Sequence, residues 1–390
     1  MRVTHVITRL IVGGAQENTV ASVLGLAGKP GLEVDLISGP TRGPEGSLES
    51  RFDGTRLLRT APDLIRPVNP WRDFQARRWL ERRFRDTSPD IVHTHSGKAG
   101  IIGREAAWRA GVPVIIHTIH GPSFGPFQGA AANFIFRAAE RRAARRTTMF
   151  VTVADAMTRK YLAAGIGEPA RYRRVLSGFD VESFTKGVND PALRARLGIG
   201  REDVVVGMIA RLFKLKGHDD LFAVAPALAR RFPGVRFLLV GGGEWRERFE
   251  EKARALGMEK HFVFTGLVPP DEVWRYVGIM DVLAHLSLRE GLPRALPQAL
   301  AAGKPVLAYD CDGAGEVCLD NETGFLTPPG RLDVLERQLG RLLEDRVLRA
   351  RLGARGRALV REKFTVERMV NDLESLYREL AERHLPGARS

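Results

Sequence analysis

Short runs of apolar, often β-branched residues alternate with helix-period stretches along nearly the whole sequence. Such alternation is typical of doubly wound α/β domains, in which helices cover both faces of a parallel sheet. In the first half, strands are predicted at Val3 to Thr8, Glu33 to Ser38, Asp90 to His95, Pro113 to Ile119 and Met149 to Val153. In the second half, strands are predicted at Val204 to Ala210, Val235 to Val240, Phe262 to Thr265, Asp281 to His285 and Pro305 to Tyr309. The pattern therefore predicts two units of the same α/β type.

The length of 390 residues also favours two domains, because one ordinary core rarely extends over so long a chain. The polar stretch from Asp180 to Pro191 is the best candidate linker. We therefore predict a Rossmann-like domain over residues 1–185, a second over 186–365, and a C-terminal helix over 366–390 that packs back toward the first domain. Helices are predicted near Gly14, Pro70, Lys98, Ala130, Asp155, Lys216, Trp245, Asp271, Pro293 and Leu332. Ligands of open α/β sheets bind at the carboxyl ends of the strands, so the chemistry is expected in a cleft between two facing domains.

Two segments of the second half carry the strongest chemical signal. Arg211 follows an apolar strand, and Lys216 stands at the start of the next predicted helix. Further on, Glu290 and Gly291 end a strand, and a helix is predicted to begin at Pro293. Cations at a strand end and at a helix start suit an anionic ligand, and exposed backbone N–H groups hold sugar or phosphate oxygens. We interpret the two segments as the halves of a site for a sugar diphosphate.

The net charge of +14 is concentrated in the first half of the sequence. There are 28 Lys and Arg against 17 Asp and Glu through Lys186, and 32 against 29 in the remainder. Arginines alternate with aromatic residues between Trp71 and Arg85, and a second basic cluster runs from Arg137 to Arg146. Such helices suit an anionic membrane surface or a polyanionic ligand, although the second cluster is equally compatible with a solvated face.

Other features of composition narrow the class of protein. No apolar run reaches the 18 or so residues that a membrane span requires, and Met1 leads directly into a strand pattern. We therefore expect a cytoplasmic protein, peripheral on the inner face of the cell membrane. Cys311 and Cys318 are too few for a disulfide framework and lack zinc-ligand spacing. The glycines at 241–243 are not followed by the acidic residue of a dinucleotide site, so hydride transfer is not expected.

With these motifs in this order, the chain resembles the family 4 glycosyltransferases, which are retaining enzymes of the GT-B fold. Further motifs that carry the resemblance are Gly13-Gly14-Ala15, His93-Thr94-His95, His120-Gly121, Ser177-Gly178-Phe179-Asp180, Gly241-Gly242-Gly243-Glu244, Phe264-Thr265-Gly266 and Thr323-Gly324-Phe325-Leu326. Each is weak alone, and together they are specific. Two positions depart from the family pattern: Gln298 stands where glutamate is usual, and Ser177 stands where asparagine is usual.

The resemblance implies a role for each candidate residue of the second domain, which would bind the nucleotide sugar. Arg211 and Lys216 would stabilise the leaving diphosphate, and the Glu290 carboxylate would accept hydrogen bonds from hydroxyls of the donor sugar. Gln298 would meet the ribose, and it is expected to line the same wall as Glu290 two helical turns away. The remaining donor-binding residues would be Gly242, Val268, Gly291, Leu292 and Pro293.

The resemblance assigns the first domain to the acceptor. Gly14 would let the backbone approach the diphosphate, and Gly13 would lie on the acceptor side, although both are compatible with an ordinary strand-to-helix turn. His120 would contact the donor sugar or the acceptor near the reacting carbon; a packing histidine is the alternative. His93 and His95 alternate along a strand, so we expect only one to face the cleft, and His95 is the weaker acceptor-side candidate.

The sequence thus predicts a hexosyltransferase that moves a sugar from a nucleotide diphosphate, most simply a UDP-sugar, to a lipid-linked or saccharide acceptor in cell-surface polysaccharide or glycolipid synthesis. No Asp-x-Asp motif lies at a strand end, so no metal and no cofactor are expected. Two alternatives remain open. One is a nucleotide-sugar 2-epimerase of the same fold, which needs more acid and base groups; the other is a basic nucleic-acid-binding protein, which needs exposed stacking aromatics. Nucleic acid is not expected as a partner.

Overall fold

A computed structural model describes residues 1–43 and 45–385. The chain divides into two compact units. Unit 1 comprises Met1–Phe179 together with the C-terminal segment from Val366, and unit 2 comprises Asp180–Thr365. Each unit is built on its own parallel sheet, so the sequence pattern of two α/β repeats corresponds to two separate cores.

Unit 1 contains a seven-stranded parallel sheet in the order β3-β2-β1-β4-β5-β6-β7. Its strands are β1 (Arg2–Ile7), β2 (Glu33–Ser38), β3 (Leu58–Thr60), β4 (Ile91–His95), β5 (Val114–Ile119), β6 (Met149–Thr152) and β7 (Tyr172–Arg174). Its helices are α1 (Gly14–Ala27), α2 (Pro70–Thr87), α3 (Gly97–Ala110), α4 (Ala130–Ala144) and α5 (Asp155–Ala163), followed at the end of the chain by Val366–His384. The central strands β4 and β5 are buried along their whole length, and their sequences IVHTH and VIIHTI combine apolar residues with buried histidines and threonines.

Unit 2 contains a six-stranded parallel sheet in the order β10-β9-β8-β11-β12-β13. Its strands are β8 (Val204–Ile209), β9 (Val235–Val240), β10 (Phe262–Gly266), β11 (Val282–His285), β12 (Val306–Tyr309) and β13 (Gly324–Thr327). Its helices are α6 (Val181–Thr185), α7 (Pro191–Arg196), α8 (His218–Arg231), α9 (Arg246–Ala255), α10 (Val273–Gly278), α11 (Ala295–Ala301), α12 (Leu332–Glu344) and α13 (Arg346–Lys363). The last helix of the chain, α14, is the Val366–His384 helix of unit 1.

The division between the units falls at Asp180, whereas the sequence suggested residue 186. The segment interpreted as a linker contains α6, which Asp180 caps by accepting a hydrogen bond from the backbone N–H of Ser183 at 3.2 Å. Helix α6 packs against α10 and α11 of unit 2. Because Val181 and Phe184 are buried, this short helix is part of the unit 2 core rather than a solvated connection.

Helix α14 packs against α1 in unit 1. Met369, Leu373, Leu376 and Leu380 of α14 are buried in the same apolar cluster as Val20 and Val23 of α1. Gly25 permits this close approach, because a Cβ atom there would lie 2.4 Å from Cγ2 of Val370. Tyr377, also on α14, is fully buried against the sheet. Its phenol hydroxyl lies 3.3 Å from Nε2 of His5 on β1.

Within residues 1–43 and 45–385, the long helices α2 and α14, each of 18 residues or more, carry many charged residues. No helix in these ranges combines the length and the apolar composition that crossing a bilayer requires.

Candidate functional site

The two chemical segments of unit 2 follow neighbouring strands. Arg211 comes after β8 and Glu290 comes after β11, and these strands pair in parallel, with Val206 opposite Val282 and Gly207 opposite Leu283. The carboxyl ends of adjacent parallel strands meet at one edge of a sheet. The topology therefore brings the basic and acidic segments to the same edge of the unit 2 sheet.

Lys216 and Glu290 form a direct ion pair at this edge. The Lys216 ammonium donates a hydrogen bond to Oε1 of Glu290 at 2.6 Å and lies 3.4 Å from the hydroxyl of Ser287. His285 Nε2 lies 3.5 Å from the same carboxylate oxygen. The side chains of Lys216 and Glu290 are 22% and 19% exposed, so the pair is partly desolvated yet reachable from solvent. Sequence reasoning placed both residues in one site but did not foresee that they pair.

The environment of Glu290 keeps its carboxylate ionised. Burial by itself raises the pKa of this group, but the charge and hydrogen bond of Lys216, together with the nearby His285, outweigh burial and hold the pKa of Glu290 well below its usual value of 4.5. A carboxylate that stays charged is a strong hydrogen-bond acceptor for hydroxyl groups. Lys216 has three N–H donors, so it can bond Glu290 and an anionic ligand together.

The loop that carries Lys216 is fixed by backbone geometry. Leu215 and Gly217 both have positive φ, at 69° and 76°. A Cβ atom at Gly217 would lie 2.1 Å from the carbonyl oxygen of Leu286, so only glycine fits beside the end of β11. The backbone N–H of Leu288 also donates to the carbonyl of Leu215 at 2.9 Å. The two halves of the candidate site are thus tied together by main-chain contacts.

Arg211 lies on the segment between β8 and α8. It is exposed, and its guanidinium lies 5.7 Å from the centre of the Phe213 ring. A stacked guanidinium retains donors for a ligand, because the ring contacts its face and leaves the N–H edge available. The convergence of Arg211 with Lys216 on a diphosphate stays a prediction.

Asp312 holds the backbone of the acidic loop and was missed by sequence reasoning. Its Oδ2 accepts a hydrogen bond from the backbone N–H of Glu290 at 2.8 Å. The next residue, Gly313, donates its backbone N–H to the carbonyl of Gly291 at 3.0 Å. Asp312 adopts φ of 52°, in the left-handed region that Asp tolerates better than most residues. Nothing in the sequence pattern singles out this aspartate, because its role depends on the chain returning after β12.

The segment after Glu290 differs from the prediction. Helix α11 begins at Ala295 rather than at Pro293, and residues 291–294 are irregular. Glu290 therefore does not lie on the helix that carries Gln298, so the spacing of two helical turns does not apply, and a shared wall stays a prediction. Gly291, Leu292 and Pro293 are buried, whereas Gln298 is partly exposed. Their contacts with a donor stay predictions.

The glycine-rich loop after β9 lies against the Arg211 segment. A Cβ atom would lie 2.2 Å from the carbonyl oxygen of Ala210 if placed on Gly241, and 2.3 Å from that of Leu212 if placed on Gly243. Gly242 has no such short contact, and its carbonyl accepts a hydrogen bond from the N–H of Leu212 at 2.9 Å. Val268, beyond the end of β10, is buried. Donor binding by Gly242 and Val268 stays a prediction.

In unit 1, Gly13 caps α1 and Gly14 is its first residue. Gly13 has φ of 172°, which is extended backbone that any residue adopts. Its carbonyl accepts a hydrogen bond from the N–H of Glu17 at 2.9 Å, as in an ordinary helix start. A Cβ atom at Gly13 would meet only the flexible end of Gln16, at 3.0 Å. The conformation of this loop does not require glycine, so its role toward a ligand rests on the predicted function.

Histidines of the adjacent strands β1 and β4 lie together on one face of the unit 1 sheet, with His120 just beyond the end of β5. His93 and His95 are two residues apart on β4, so their side chains point to the same face, and their rings stack with centroids 4.4 Å apart. The premise that they point to opposite faces is therefore wrong, and which of them meets a ligand stays a prediction. His95 is buried, with Nε2 2.8 Å from Nδ1 of His5 and Nδ1 3.0 Å from Nε2 of His120. His95 contacts His120 instead of presenting a free ring nitrogen to an acceptor.

The nitrogens of His5, His93 and His95 lie within 4.8 Å of one another, a grouping that could hold a metal ion. All six ring nitrogens already have hydrogen-bond partners: the other histidines, Tyr377 and Thr118. A metal ion would have to replace several of these bonds at once. The sequence-based expectation that no metal takes part stays a prediction.

The buried histidines make stability depend on pH. Burial lowers the pKa of His5 to about 3, and burial first lowers the pKa values of His93, His95 and His117 well below 6.5, with smaller contributions from neighbouring histidines and, for His117, from Arg104. These groups are neutral when folded and protonate near pH 6.5 when unfolded, so the unfolded state binds more protons as the pH falls below 6.5. The free energy of unfolding should fall between pH 7.5 and 5.5 by on the order of 1 kcal/mol per buried histidine.

Urea denaturation at pH 7.5, 6.5 and 5.5 measures this loss of stability. In a His117→Gln variant, one titrating group is removed, so stability should fall less steeply with pH even if it starts lower. A free energy of unfolding that stays constant over this range would contradict the assignment of these histidines as buried neutral groups.

Comparisons with known proteins match both units. The family model described as "Glycosyl transferase 4-like domain" matches residues 13–178, and the model described as "Glycosyl transferases group 1" matches residues 189–359. The first match falls within unit 1 and the second within unit 2. Both halves of the sequence thus match families of enzymes that transfer glycosyl groups.

Two curated relatives illustrate the similarity. UDP-Gal:alpha-D-GlcNAc-diphosphoundecaprenol alpha-1,3-galactosyltransferase of Escherichia coli is 26% identical over 336 residues, which cover 85% of this chain and 86% of that protein. A GDP-mannose-dependent alpha-(1-6)-phosphatidylinositol monomannoside mannosyltransferase of Mycolicibacterium smegmatis is 33% identical over 262 residues, covering 64% and 66%. The two relatives are named for different donor nucleotides, UDP in the first and GDP in the second.

Solved structures share the fold. Anabaena HepE in complex with UDP and glucose matches with a TM-score of 0.82 and 21% identity, over 97% of this chain and 100% of that chain. Sucrose-phosphate synthase from Thermosynechococcus elongatus matches with a TM-score of 0.82 and 20% identity, over 98% and 100%. At these identities, the likeness shows the architecture.

Proposed function

We propose that this chain, which belongs to the glycosyltransferases of the GT4 type and has the GT-B fold of two Rossmann-like units, transfers a hexosyl group from a UDP-sugar to an acceptor hydroxyl with retention at the anomeric carbon. The observation that carries the proposal is the Lys216–Glu290 pair at the carboxyl edge of the unit 2 sheet. In this pair, the Lys216 ammonium would bind the diphosphate and the Glu290 carboxylate would bind the sugar hydroxyls. The two groups lie side by side and are partly exposed to solvent.

Bond cleavage would put negative charge on the leaving diphosphate and positive charge on the sugar ring. Lys216, assisted by Arg211, would stabilise the diphosphate with charge-assisted hydrogen bonds that strengthen as the bond breaks. Glu290 would hold the sugar hydroxyls and face the developing positive charge. Lys216 can keep its bond to Oε1 of Glu290 and still donate to phosphate, because its ammonium has three donors. The proposed chemistry needs only positioning and electrostatics, with no metal.

UDP is proposed as the nucleotide on two grounds. The E. coli relative is named as a UDP-Gal enzyme, and the Anabaena HepE structure contains UDP. The mycobacterial relative is named as GDP-mannose-dependent, so GDP is the competing nucleotide. Titration calorimetry with UDP and with GDP distinguishes them. We expect UDP to bind at least tenfold more tightly; GDP binding as tightly as UDP, or more tightly, would contradict the proposed donor.

Gln298 offers a test of the ribose contact. If its amide meets ribose hydroxyls, Gln298→Glu should strengthen UDP binding by about 1 to 2 kcal/mol, because a charged acceptor makes the stronger hydrogen bond. Calorimetry with UDP measures the change. Uridine, which has the ribose but no phosphates, is the control that separates an effect on the ribose contact from one on diphosphate binding. An unchanged affinity would mean that position 298 does not touch the nucleotide, and a weaker one would mean that the site is adapted to the amide.

The acceptor is proposed to be lipid-linked or a saccharide at a membrane surface. The names of both relatives contain a lipid acceptor, diphosphoundecaprenol in one and phosphatidylinositol in the other. In this chain, the start of α2 exposes Trp71 and Phe74, whose rings are stacked with centroids 6.1 Å apart. Arg77 and Arg78 lie over the Phe74 ring, at 5.1 and 5.8 Å from its centre.

Of the four aromatic residues that the sequence places between Trp71 and Arg85, only Trp71 and Phe74 are exposed on α2. Phe84 is buried in a core cluster of unit 1, and Trp79 packs against that cluster. Arg77 and Arg85 both pair with Glu81, at 2.9 and 2.6 Å. Helix α4 provides further exposed apolar area at Phe134 and Ile135, which the sequence analysis did not single out. Membrane docking is therefore proposed for the exposed end of α2, with the arginines that follow it.

Neutralising Arg77, Arg78, Arg82 and Arg83 with glutamine should abolish binding to anionic vesicles at low salt, since each basic residue near such a surface contributes about 1 kcal/mol. Co-sedimentation with phosphatidylserine and phosphatidylcholine vesicles at low and high salt is the measurement. Replacing Arg337, Arg346, Arg351 and Arg361 of unit 2 removes the same charge and should leave binding intact. Equal pelleting of wild type with neutral and anionic vesicles, or none with either, would contradict docking through this face.

A further inference from the structure

A continuous hydrogen-bonded chain of six side chains runs through unit 1. It starts at Thr118, whose Oγ1 lies 2.6 Å from Nε2 of His93. His93 Nδ1 lies 2.5 Å from the hydroxyl of Tyr377, which lies 3.3 Å from Nε2 of His5. From there the chain passes from His5 to His95 at 2.8 Å and from His95 to His120 at 3.0 Å. Strands β1, β4 and β5 and helix α14 all contribute.

The inner members of this chain are neutral. His5, His93, His95 and Tyr377 are buried, with exposures of 0 to 1%. Burial lowers the pKa of His5 to about 3 and raises the pKa of Tyr377 well above 10, so the imidazoles carry one proton each and the phenol keeps its own. A neutral imidazole has one N–H donor and one acceptor nitrogen. Each ring in a linear chain must therefore donate on one side and accept on the other, and all donors point in the same direction.

Thr118 fixes which direction that is. Its hydroxyl is buried, and within residues 1–43 and 45–385 the hydrogen-bond partner found for Oγ1 is His93. A buried hydroxyl hydrogen without an acceptor is costly, so the Thr118 O–H donates to Nε2 of His93. His93 Nδ1–H then donates to the Tyr377 oxygen, and the Tyr377 O–H donates to Nε2 of His5. In the same direction, His5 Nδ1–H donates to Nε2 of His95, and His95 Nδ1–H donates to Nε2 of His120.

We propose that this chain locks His120 in the tautomer that carries its proton on Nδ1, and that Thr118, Tyr377, His5 and His95 are positioning residues for it. The inference rests on the proposed function only in assigning His120 a contact with the donor sugar or the acceptor. With Nε2 occupied as an acceptor, any hydrogen bond that His120 makes to a sugar or phosphate oxygen is donated from Nδ1–H. It does not act as a base that removes the acceptor proton.

The tautomer can be measured directly in the ligand-free protein. Histidine ring nitrogens labelled with ¹⁵N give distinct two-bond ¹H–¹⁵N patterns for the two tautomers, and His120→Gln assigns the His120 signals by their loss. We expect Nδ1–H at His120 in the wild type. Thr118→Val removes the hydroxyl that sets the direction, and Tyr377→Phe cuts the chain in the middle; both should convert His120 wholly or partly to the Nε2–H form.

Tyr172→Phe is the matched control, because it removes a tyrosine hydroxyl of unit 1 that bonds the carbonyl of Ile166 and is not part of the chain. It should leave the His120 tautomer unchanged. An Nε2–H tautomer in the wild type, or an unchanged His120 in both Thr118→Val and Tyr377→Phe, would overturn the proposal. If Tyr377→Phe fails to fold, Thr118→Val decides alone, since threonine and valine have nearly the same shape.

Turnover adds a second readout that separates this proposal from the proposed function. If His120 donates to substrate, Tyr377→Phe should lower kcat by about tenfold, the equivalent of one hydrogen bond, with little change in KM. The variants could change the His120 tautomer as predicted while the wild-type protein shows no transferase activity. That result would contradict the proposed function and still support control of the tautomer by the hydrogen-bonded chain. Full activity in a variant with a converted tautomer would overturn the catalytic part of this inference.

Discussion

Replacing Lys216 or Arg211 with alanine should lower kcat by on the order of a hundredfold or more, with a smaller change in donor affinity. Each removes a cation proposed to stabilise the leaving diphosphate, which gains further negative charge as the bond to the sugar breaks. Lys216→Ala also leaves the Glu290 carboxylate without its 2.6 Å partner, so some loss of stability is expected in that variant. Steady-state kinetics with a saturating donor, alongside urea denaturation, separates the two effects.

Lys214→Ala is the matched control, because Lys214 lies on the same loop and is exposed. It should retain nearly full activity. If Lys216→Ala and Arg211→Ala both turn over near the wild-type rate, these residues do not bind the leaving group. If Lys216→Ala loses activity only in proportion to the fraction unfolded, the lysine is structural.

The second large effect is expected at Glu290. Glu290→Gln keeps the shape of the side chain but removes the charge that we propose holds sugar hydroxyls and faces the developing positive charge, so kcat/KM should fall by about a hundredfold. The substitution also frees Lys216 from its ion pair, and UDP alone should bind as tightly as in the wild type or more tightly. Kinetics and UDP calorimetry on the same preparation measure both outcomes.

Glu322→Gln, which removes an exposed carboxylate of unit 2 that pairs with Arg355, is the control and should have little effect. Because Lys216 and Glu290 touch, the double variant should lose less than the product of the two single losses. Wild-type kcat/KM in Glu290→Gln, or exactly multiplicative losses in the double variant, would argue against the pair acting as one unit on the donor.

Apolar periodicity was sufficient to predict the two sheets. The predicted strands of both halves correspond to β-strands, with ends that differ by a residue or two, because parallel strands buried on both faces are rich in apolar, β-branched residues. Among the described residues, three strands were not predicted, and all of them lie at sheet edges: Leu58–Thr60, Tyr172–Arg174 and Gly324–Thr327. Leu58–Thr60 and Tyr172–Arg174 are short, partly exposed and rich in arginine and threonine, so they form no apolar run. Pattern alone cannot separate such segments from loops.

The candidate site was predictable in its parts but not in its contacts. Arg211, Lys216 and Glu290 were identified from their places at strand ends and from the family resemblance. The pairing of Lys216 with Glu290 depends on side-chain geometry across two loops, and the role of Asp312 depends on the chain returning to Glu290 after another strand. Neither leaves a mark on local sequence.

The histidine chain shows the same limit over a longer distance. Tyr377 and His5 are 372 positions apart in sequence, and only the packing of α14 on the unit 1 sheet brings them together. The histidines of β4 could have been placed on one face from their spacing alone, since residues two apart on a strand point the same way. Their hydrogen-bond partners required the register of β1, β4 and β5.

The central claim is retaining transfer from a nucleotide sugar at the Lys216–Glu290 site. Its most direct measurement is ¹H NMR of the anomeric protons while wild-type protein and Lys216→Ala consume a panel of α-linked UDP- and GDP-sugars by slow hydrolysis. We predict that wild type consumes one or more UDP-sugars and releases the α-anomer first, and that Lys216→Ala does so about a hundredfold more slowly. Release of the β-anomer first, or equal rates in the two proteins, would contradict the account.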